Sequence, residues 1–202
     1  MSDLKEYNIY VCGVGGQGIL TLTDILGEAG LKTGYKVRGS ETHGMAQRGG
    51  SVVATVKYGT KVHSPLVPEK GADILISLEP AETLRSANYV KEDGLIITGT
   101  FPFIPPSNTY KREKYPEIDQ LLEKSRIFCS NVYTLDFAKA IADLGSVIVA
   151  NVVALGAISM VPNFPVTEEV IRKTIIARWP KFVELNLKAF EYGQNMIKEQ
   201  LN

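Results

Sequence analysis

The 202 residues are enough for one domain with a substantial core, since 45% are hydrophobic, 8% aromatic and 22% charged. Twenty-two basic residues balance twenty-two acidic ones, and this balance excludes the basic stripe of a nucleic-acid binder. The start, MSDLKEYNIYVCG, is no signal peptide, and no apolar run reaches the roughly 18 residues of a membrane span, so a soluble cytoplasmic chain is expected.

Tyr7–Cys12 is a short β-prone apolar run and reads as the first strand. Gly13–Gly18 (GVGGQG) follows as a glycine-rich turn. Ile19–Leu31 then spaces its apolar residues as a helix does, and Gly34 ends that helix. Tyr35–Arg38 reads as a second strand, so the first forty residues predict a βαβ unit. Ser40–Gly50 is polar and glycine-rich and reads as a loop. Ser51–Tyr58 is β-branched and reads as a strand, with Gly59 as a turn and Lys61–Ser64 pairing back as a short hairpin.

Asp73–Leu78 predicts a buried strand, Glu79–Tyr89 a helix opened by Pro80, and Leu95–Thr98 a further strand. Thr100–Pro116, with four prolines, reads as an ordered excursion or a mobile flap. Ile118–Lys124 reads as a helix, Arg126–Cys129 as a strand, and Leu135–Leu144 and Val147–Met160 as helices, the second very apolar. Thr167 caps a helix with Glu168 and Glu169 in its first turn. From Pro180 to about Leu201 the pattern is that of an amphipathic helix with Phe182, Leu185, Ala189, Met196 and Ile197 on its apolar line. The sum is a three-layer, Rossmann-like α/β domain over residues 1–202, with a mainly parallel sheet, a hairpin and a C-terminal amphipathic helix.

Two cysteines, Cys12 and Cys129, lie far apart, which argues against a disulfide framework or an iron–sulfur cluster held by this chain alone. With two histidines, a zinc site is not expected either. No acid–base or nucleophile constellation stands out, so no residue of this chain is assigned a catalytic role.

The candidate residues sit in two loops. Gly13, Gly15, Gly16 and Gly18, with Gln17 among them, satisfy G-x-G-x-x-G between a strand and a helix. Glu41 stands about where a ribose-binding acid would. The residues alone leave dinucleotide binding and a ligand-free tight turn equally open, although the second glycine-rich loop after Glu41 departs from the dinucleotide pattern. That loop gathers Glu41, His43, Gln47, Arg48, Gly49 and Gly50; either it contacts a ligand, or Glu41 and Arg48 simply pair. His63, Glu79-Pro80 and Trp179 are weaker candidates, each with an ordinary structural reading as a turn, a helix start and a helix-junction anchor.

GVGGQG, SETHGMAQRGGSV and HSPLVPEKGADILISLEP, taken together, resemble the gamma-type subunit of 2-oxoacid:ferredoxin oxidoreductases. NVVALG, PNFPV and VELNLKAFEYG extend the resemblance to nearly the whole chain and make it most similar to the indolepyruvate type. The resemblance implies a small subunit, inactive alone, beside a large alpha subunit that carries thiamine diphosphate and iron–sulfur clusters and passes electrons to ferredoxin. It also implies that coenzyme A is shared with this chain and that both loops have a positional role. Two alternatives stay open: the gamma subunit of a pyruvate or 2-oxoglutarate enzyme, and a stand-alone NAD(P)-binding Rossmann-like protein. Its apolar segments also make a homodimer of the isolated chain an expectation.

Overall fold

A computed structural model describes residues 4–43, 49–103, 114–146 and 149–201. The chain opens with β1 (Tyr7–Val14), in which successive side chains enter two different apolar clusters. Ile9 and Val11 belong to the larger cluster, Tyr10 and Cys12 to the smaller. A strand buried on both faces needs a layer on each, which makes the molecule three-layered.

The sheet contains β2 (Lys36–His43), β3 (Ser51–Gly59), β4 (Ala72–Ser77), β5 (Val90–Gly99) and β6 (Val132–Leu135), in the order β2-β3-β1-β4-β5-β6. β1, β4, β5 and β6 are parallel, and β3 runs against both of its neighbours. On the larger cluster's face lie α1 (Ile19–Lys32), α4 (Phe137–Leu144), α5 (Ala150–Ser159), α6 (Glu168–Arg178) and α7 (Val183–Leu201). The opposite face carries α2 (Pro80–Ser86), the 3-10 turn Ala87–Tyr89 and, packed on α2, α3 (Ile118–Ser125).

The mainly parallel α/β architecture is the expected one, with local corrections. First, β1-α1-β2 is not a simple βαβ unit: β3 is inserted antiparallel between the two strands. Second, β2 continues through His43, so Ser40–His43 is strand and not loop. Its pairs Ser40↔Thr55, Glu41↔Ala54, Thr42↔Val53 and His43↔Val52 supply backbone hydrogen bonds that polar composition does not reveal. Third, Lys61–Ser64 forms no strand, because β2 already occupies the free edge of β3. The segment instead crosses the sheet, where the Thr55 hydroxyl donates to the Pro65 carbonyl (2.8 Å) and Lys57 Nζ to the Leu66 carbonyl (3.3 Å).

Fourth, Arg126–Cys129 is a turn, with Ile127 80% exposed, and the strand is the following Val132–Leu135. Asp136 then caps α4, accepting from the Lys139 N–H at 3.0 Å. Fifth, the Thr167 side chain makes no cap bond, although its backbone stands at the N-cap of α6. Glu168 and Glu169 pair instead with Arg172 and Lys173 one turn on. The last helix starts at Val183, three residues later than expected, which leaves Phe182 60% exposed.

The centre of the larger cluster is α5, which is buried from Asn151 to Ile158. A helix apolar on all sides has no face to give to solvent. It crosses α7 at glycine: a Cβ on Gly156 would overlap the Phe190 carbonyl oxygen, and one on Gly193 the Val153 carbonyl oxygen.

Candidate functional site

The site is built where β1 passes into α1, at the carboxyl end of the parallel strands. Gly13 is still a strand residue, paired with Val52, and the turn proper spans residues 15–18. Gly16 has φ +106° with open space where a side chain would stand; Gly18 has φ +81° and is the N-cap of α1. Both conformations favour glycine. The Gly15 N–H donates to the Gly50 carbonyl (2.8 Å) and the Gly49 N–H to the Gly15 carbonyl (3.3 Å). The structure therefore stitches the end of the second glycine loop to the first.

Gln17 is a brace within this turn. Its Oε1 accepts from the Val14 N–H (2.8 Å) and its Nε2 donates to the Leu78 carbonyl (3.0 Å), joining the ends of β1 and β4. Gln17→Leu removes both bonds and strands two backbone groups. We expect a loss of about 2 kcal/mol, read as a lower midpoint in urea unfolding.

The other sequence-predicted residues are not gathered there. Glu41 is exposed on β2, where it lines an open groove with Thr23, Asp24 and Gly27 of α1. It is separated from β1 by β3, a displacement of about 10 Å at ordinary strand spacing. A dinucleotide fold carries its acid on the strand beside the glycine turn, so the insertion of β3 takes Glu41 out of that role. The His43 side chain, Gln47 and Arg48 lie outside the described residues.

Sequence reasoning missed a polar layer beneath the turn. Glu79, 2% exposed, caps α2 by accepting from the Glu82 N–H (2.9 Å), and its other oxygen accepts from the Tyr115 hydroxyl. That hydroxyl in turn accepts from the Ala81 N–H (3.1 Å). Burial and the Glu79 carboxylate push the Tyr115 phenol above its ordinary range. Glu82, 3% exposed, accepts from the Ser51 hydroxyl (2.6 Å) and pairs with Arg85. Of the weaker candidates, Glu79 realises the helix-start reading, His63 is exposed, and Trp179 packs half-buried on the core at the end of α6. The signals for Glu79 were a strand-ending acid followed by proline; nothing local marks Tyr115 as its partner.

Both thiols are buried. Burial pushes Cys12 up to about 12, and Cys129, whose thiol donates to the Gly94 carbonyl (3.1 Å), is raised as well. We expect neither to react with a thiol reagent near neutral pH in the native chain, and both to react in denaturant. Because the folded values are raised, this contribution to stability is intact below the unfolded thiol range and is lost as pH climbs toward 12. Among the described residues, no group of three or more His, Cys, Asp or Glu is placed to hold a metal ion, and no helix is long and apolar enough to cross a membrane.

Comparison with known proteins adds three findings. Residues 8–196 match the pyruvate ferredoxin/flavodoxin oxidoreductase family. Two relatives, each named indolepyruvate oxidoreductase subunit IorB, align along nearly their whole length. The one from Thermococcus kodakarensis is 43% identical over 98% of this chain and 99% of its own; the one from Pyrococcus horikoshii is 44% identical over 98% and 100%. A crystal structure of a keto/oxoacid ferredoxin oxidoreductase gamma subunit from Geobacter sulfurreducens superposes with a TM-score of 0.69. It is 26% identical, and the match covers 96% of this chain and 99% of that one.

Proposed function

This chain belongs to the pyruvate ferredoxin/flavodoxin oxidoreductase family, and from that premise we propose that it is the small subunit of an indolepyruvate (arylpyruvate):ferredoxin oxidoreductase. The assembled enzyme oxidatively decarboxylates a 2-oxoacid, releases carbon dioxide, forms an acyl-coenzyme A and hands the electrons to ferredoxin. The observation that carries this reading is the end-to-end similarity to relatives named as indolepyruvate oxidoreductase subunits. We take residues 1–202 as a single gamma-type domain, working in the cytoplasm and inactive without its partner.

Thiamine diphosphate and the iron–sulfur clusters belong to a larger partner subunit in this reading. A cluster usually takes four thiolates, whereas this chain has two cysteines, both buried in its own core. The stitched glycine turn lies at the carboxyl end of the parallel strands, the end at which open α/β sheets take ligands. There Gly15, Gly16 and Gly18 face coenzyme A or the partner's reaction centre. Gly13, Gln17, Gly49 and Gly50 hold the shape of that turn, and the role of Glu41, His43, Gln47 and Arg48 is to contact coenzyme A, substrate or the partner. With its acid two strands away, the turn is a poor dinucleotide site.

Anaerobic affinity purification of this chain from its native cells tests the proposal. The expected result is a brown, larger partner and arylpyruvate-dependent dye reduction that requires coenzyme A. A colourless lone chain that binds NAD(P) would overturn it. Pyruvate and 2-oxoglutarate in the same assay separate the indolepyruvate enzyme from its two sister activities.

A further inference from the structure

Glu82 is an acid in the first turn of α2, yet the helix does not need it as a cap, because Glu79 already fills that place. The residue is 3% exposed. Burying a carboxylate is costly unless its oxygens are paired. Both are: one accepts from the Ser51 hydroxyl at 2.6 Å, and the other pairs with Arg85, whose side chain is 68% exposed. The bond to Ser51 is charge-assisted, which places it among the stronger kinds.

Ser51 is itself exposed and opens β3. The register of β3 does not depend on this bond. Eight pairs, from Tyr7↔Tyr58 to Val14↔Ser51, align β3 with β1, and eight more align it with β2. What the bond reaches is the neighbouring residue. The β1–β3 ladder ends at Ser51, and beyond it the Gly50 carbonyl and the Gly49 N–H hold Gly15. Neither glycine has a side chain with which to be held from another direction. The Ser51 hydroxyl ties this stretch to α2, and α2 is fixed in turn. The Cys12 thiol donates to the Glu82 carbonyl (3.5 Å), and Glu79 accepts from the Tyr115 hydroxyl. A chain of contacts therefore runs from Tyr115 through Glu79, Glu82 and Ser51 to the bond between Gly50 and Gly15.

We propose that Ser51 and Glu82 are positioning residues of the oxidoreductase reaction. Their hydrogen bond sets where the stitched glycine turn stands against the partner's reaction centre. Neither residue touches a reactant; both act through Gly50 and Gly15. This inference rests on reading the glycine turn as the working surface of the subunit, and it adds two residues that the glycine motifs do not contain.

Ser51→Ala, Ser51→Thr and Glu82→Met test it in the assembled oxidoreductase, with amide hydrogen exchange measured on the same chains. Alanine removes the hydroxyl from an exposed position. Threonine keeps it in a residue suited to a strand. Methionine is close to glutamate in length and favours a helix. Ser51→Ala is expected to lower the turnover number about tenfold, the equivalent of one lost hydrogen bond. Assembly and the Michaelis constant for the 2-oxoacid should stay as they were, and the Gly15 amide should exchange faster. Ser51→Thr is expected to restore both turnover and protection. Glu82→Met should match Ser51→Ala, and the double variant should lose nothing more. A bond that only stabilises would lower the melting temperature and leave turnover unchanged, and that result would overturn the proposal. So would additive losses in the double variant, or a threonine that restores nothing. Gly16→Asn, which alters the turn itself, separates the two readings. If it slows turnover and Ser51→Ala does not, only this inference falls; if it leaves turnover intact, the working-surface reading falls and this inference with it. If the purified complex has no oxidoreductase activity, the subunit reading falls, and unchanged Gly15 protection in Ser51→Ala would still overturn the linkage.

Discussion

Gly156→Ala is expected to lower the stability of the chain by at least about 3 kcal/mol. One methyl group does this because it has no room to move into. Its carbon would overlap the Phe190 carbonyl oxygen, which belongs to the backbone of α7 and cannot rotate away. The two helices must part, and the residues of α5 buried at 0–1% exposure lose their contacts together. Against a total stability of about 5–15 kcal/mol, the variant should melt roughly 10 °C lower or accumulate as insoluble protein. Gly193→Ala should behave alike, because its Cβ meets the Val153 carbonyl oxygen of α5 from the opposite side. Gly27→Ala is the control with the opposite sign. Its Cβ would touch only Val37 at 3.9 Å, and a helical glycine replaced by alanine gains roughly 0.5–1 kcal/mol. Thermal melts of the three variants that showed equal small changes would refute the glycine-crossing account.

The elements legible in the sequence are those whose physics is local. β1, the glycine turn and α1 fall within two residues of their expected bounds, because strand propensity, glycine and helical spacing follow one another without interruption. β4 was legible for a similar reason, a short apolar run bounded by Gly71 and Pro80. β2 and β3 were misjudged in their pairing, since the polar residues Ser40 to His43 are held in a strand by a partner that lies beyond a loop. An edge strand tolerates such residues because one side meets water. β6 was displaced because Arg126–Cys129 has a strand-like apolar stretch, but its exposed Ile127 and the turn at Ser125–Cys129 give that stretch no ladder.

The candidate site divides in the same way. Both glycine loops could be read from residue order, and their stitching at Gly15, Gly49 and Gly50 agrees with treating them as one unit. The inward use of Gln17 could not be read, because Leu78 reaches it only through the β1–β4 pairing. The same holds for Tyr115 on Glu79 and for Ser51 on Glu82, where residues far apart in the chain meet at the ends of strands and helices. A site assembled from element termini leaves no periodic signal in any one segment.

The second large effect concerns function and not folding. Gly16→Asn is expected to reduce turnover of the assembled oxidoreductase by tenfold or more, about what a misplacement near 1 Å costs a positioned reactant, while the isolated chain keeps its fold. Gly16 has φ +106°, and a Cβ there would find nothing within 4 Å. Asparagine is the side chain that best tolerates a left-handed backbone, so the penalty is strain of about 1–2 kcal/mol without a clash. The side chain then projects into the open space above the turn, which the proposed function assigns to coenzyme A or the partner. Gly145→Asn controls for strain: that residue has φ +69°, is equally free of neighbours, and lies outside both stitched loops. Melting temperatures should fall by similar small amounts in the two variants, and turnover should fall only in Gly16→Asn. The Michaelis constant for coenzyme A then separates the two faces the turn could present. A raised constant with unchanged maximal rate places the cofactor over Gly16, whereas loss of assembly places the partner there. Full turnover with normal assembly would remove the glycine turn from the working surface of the enzyme.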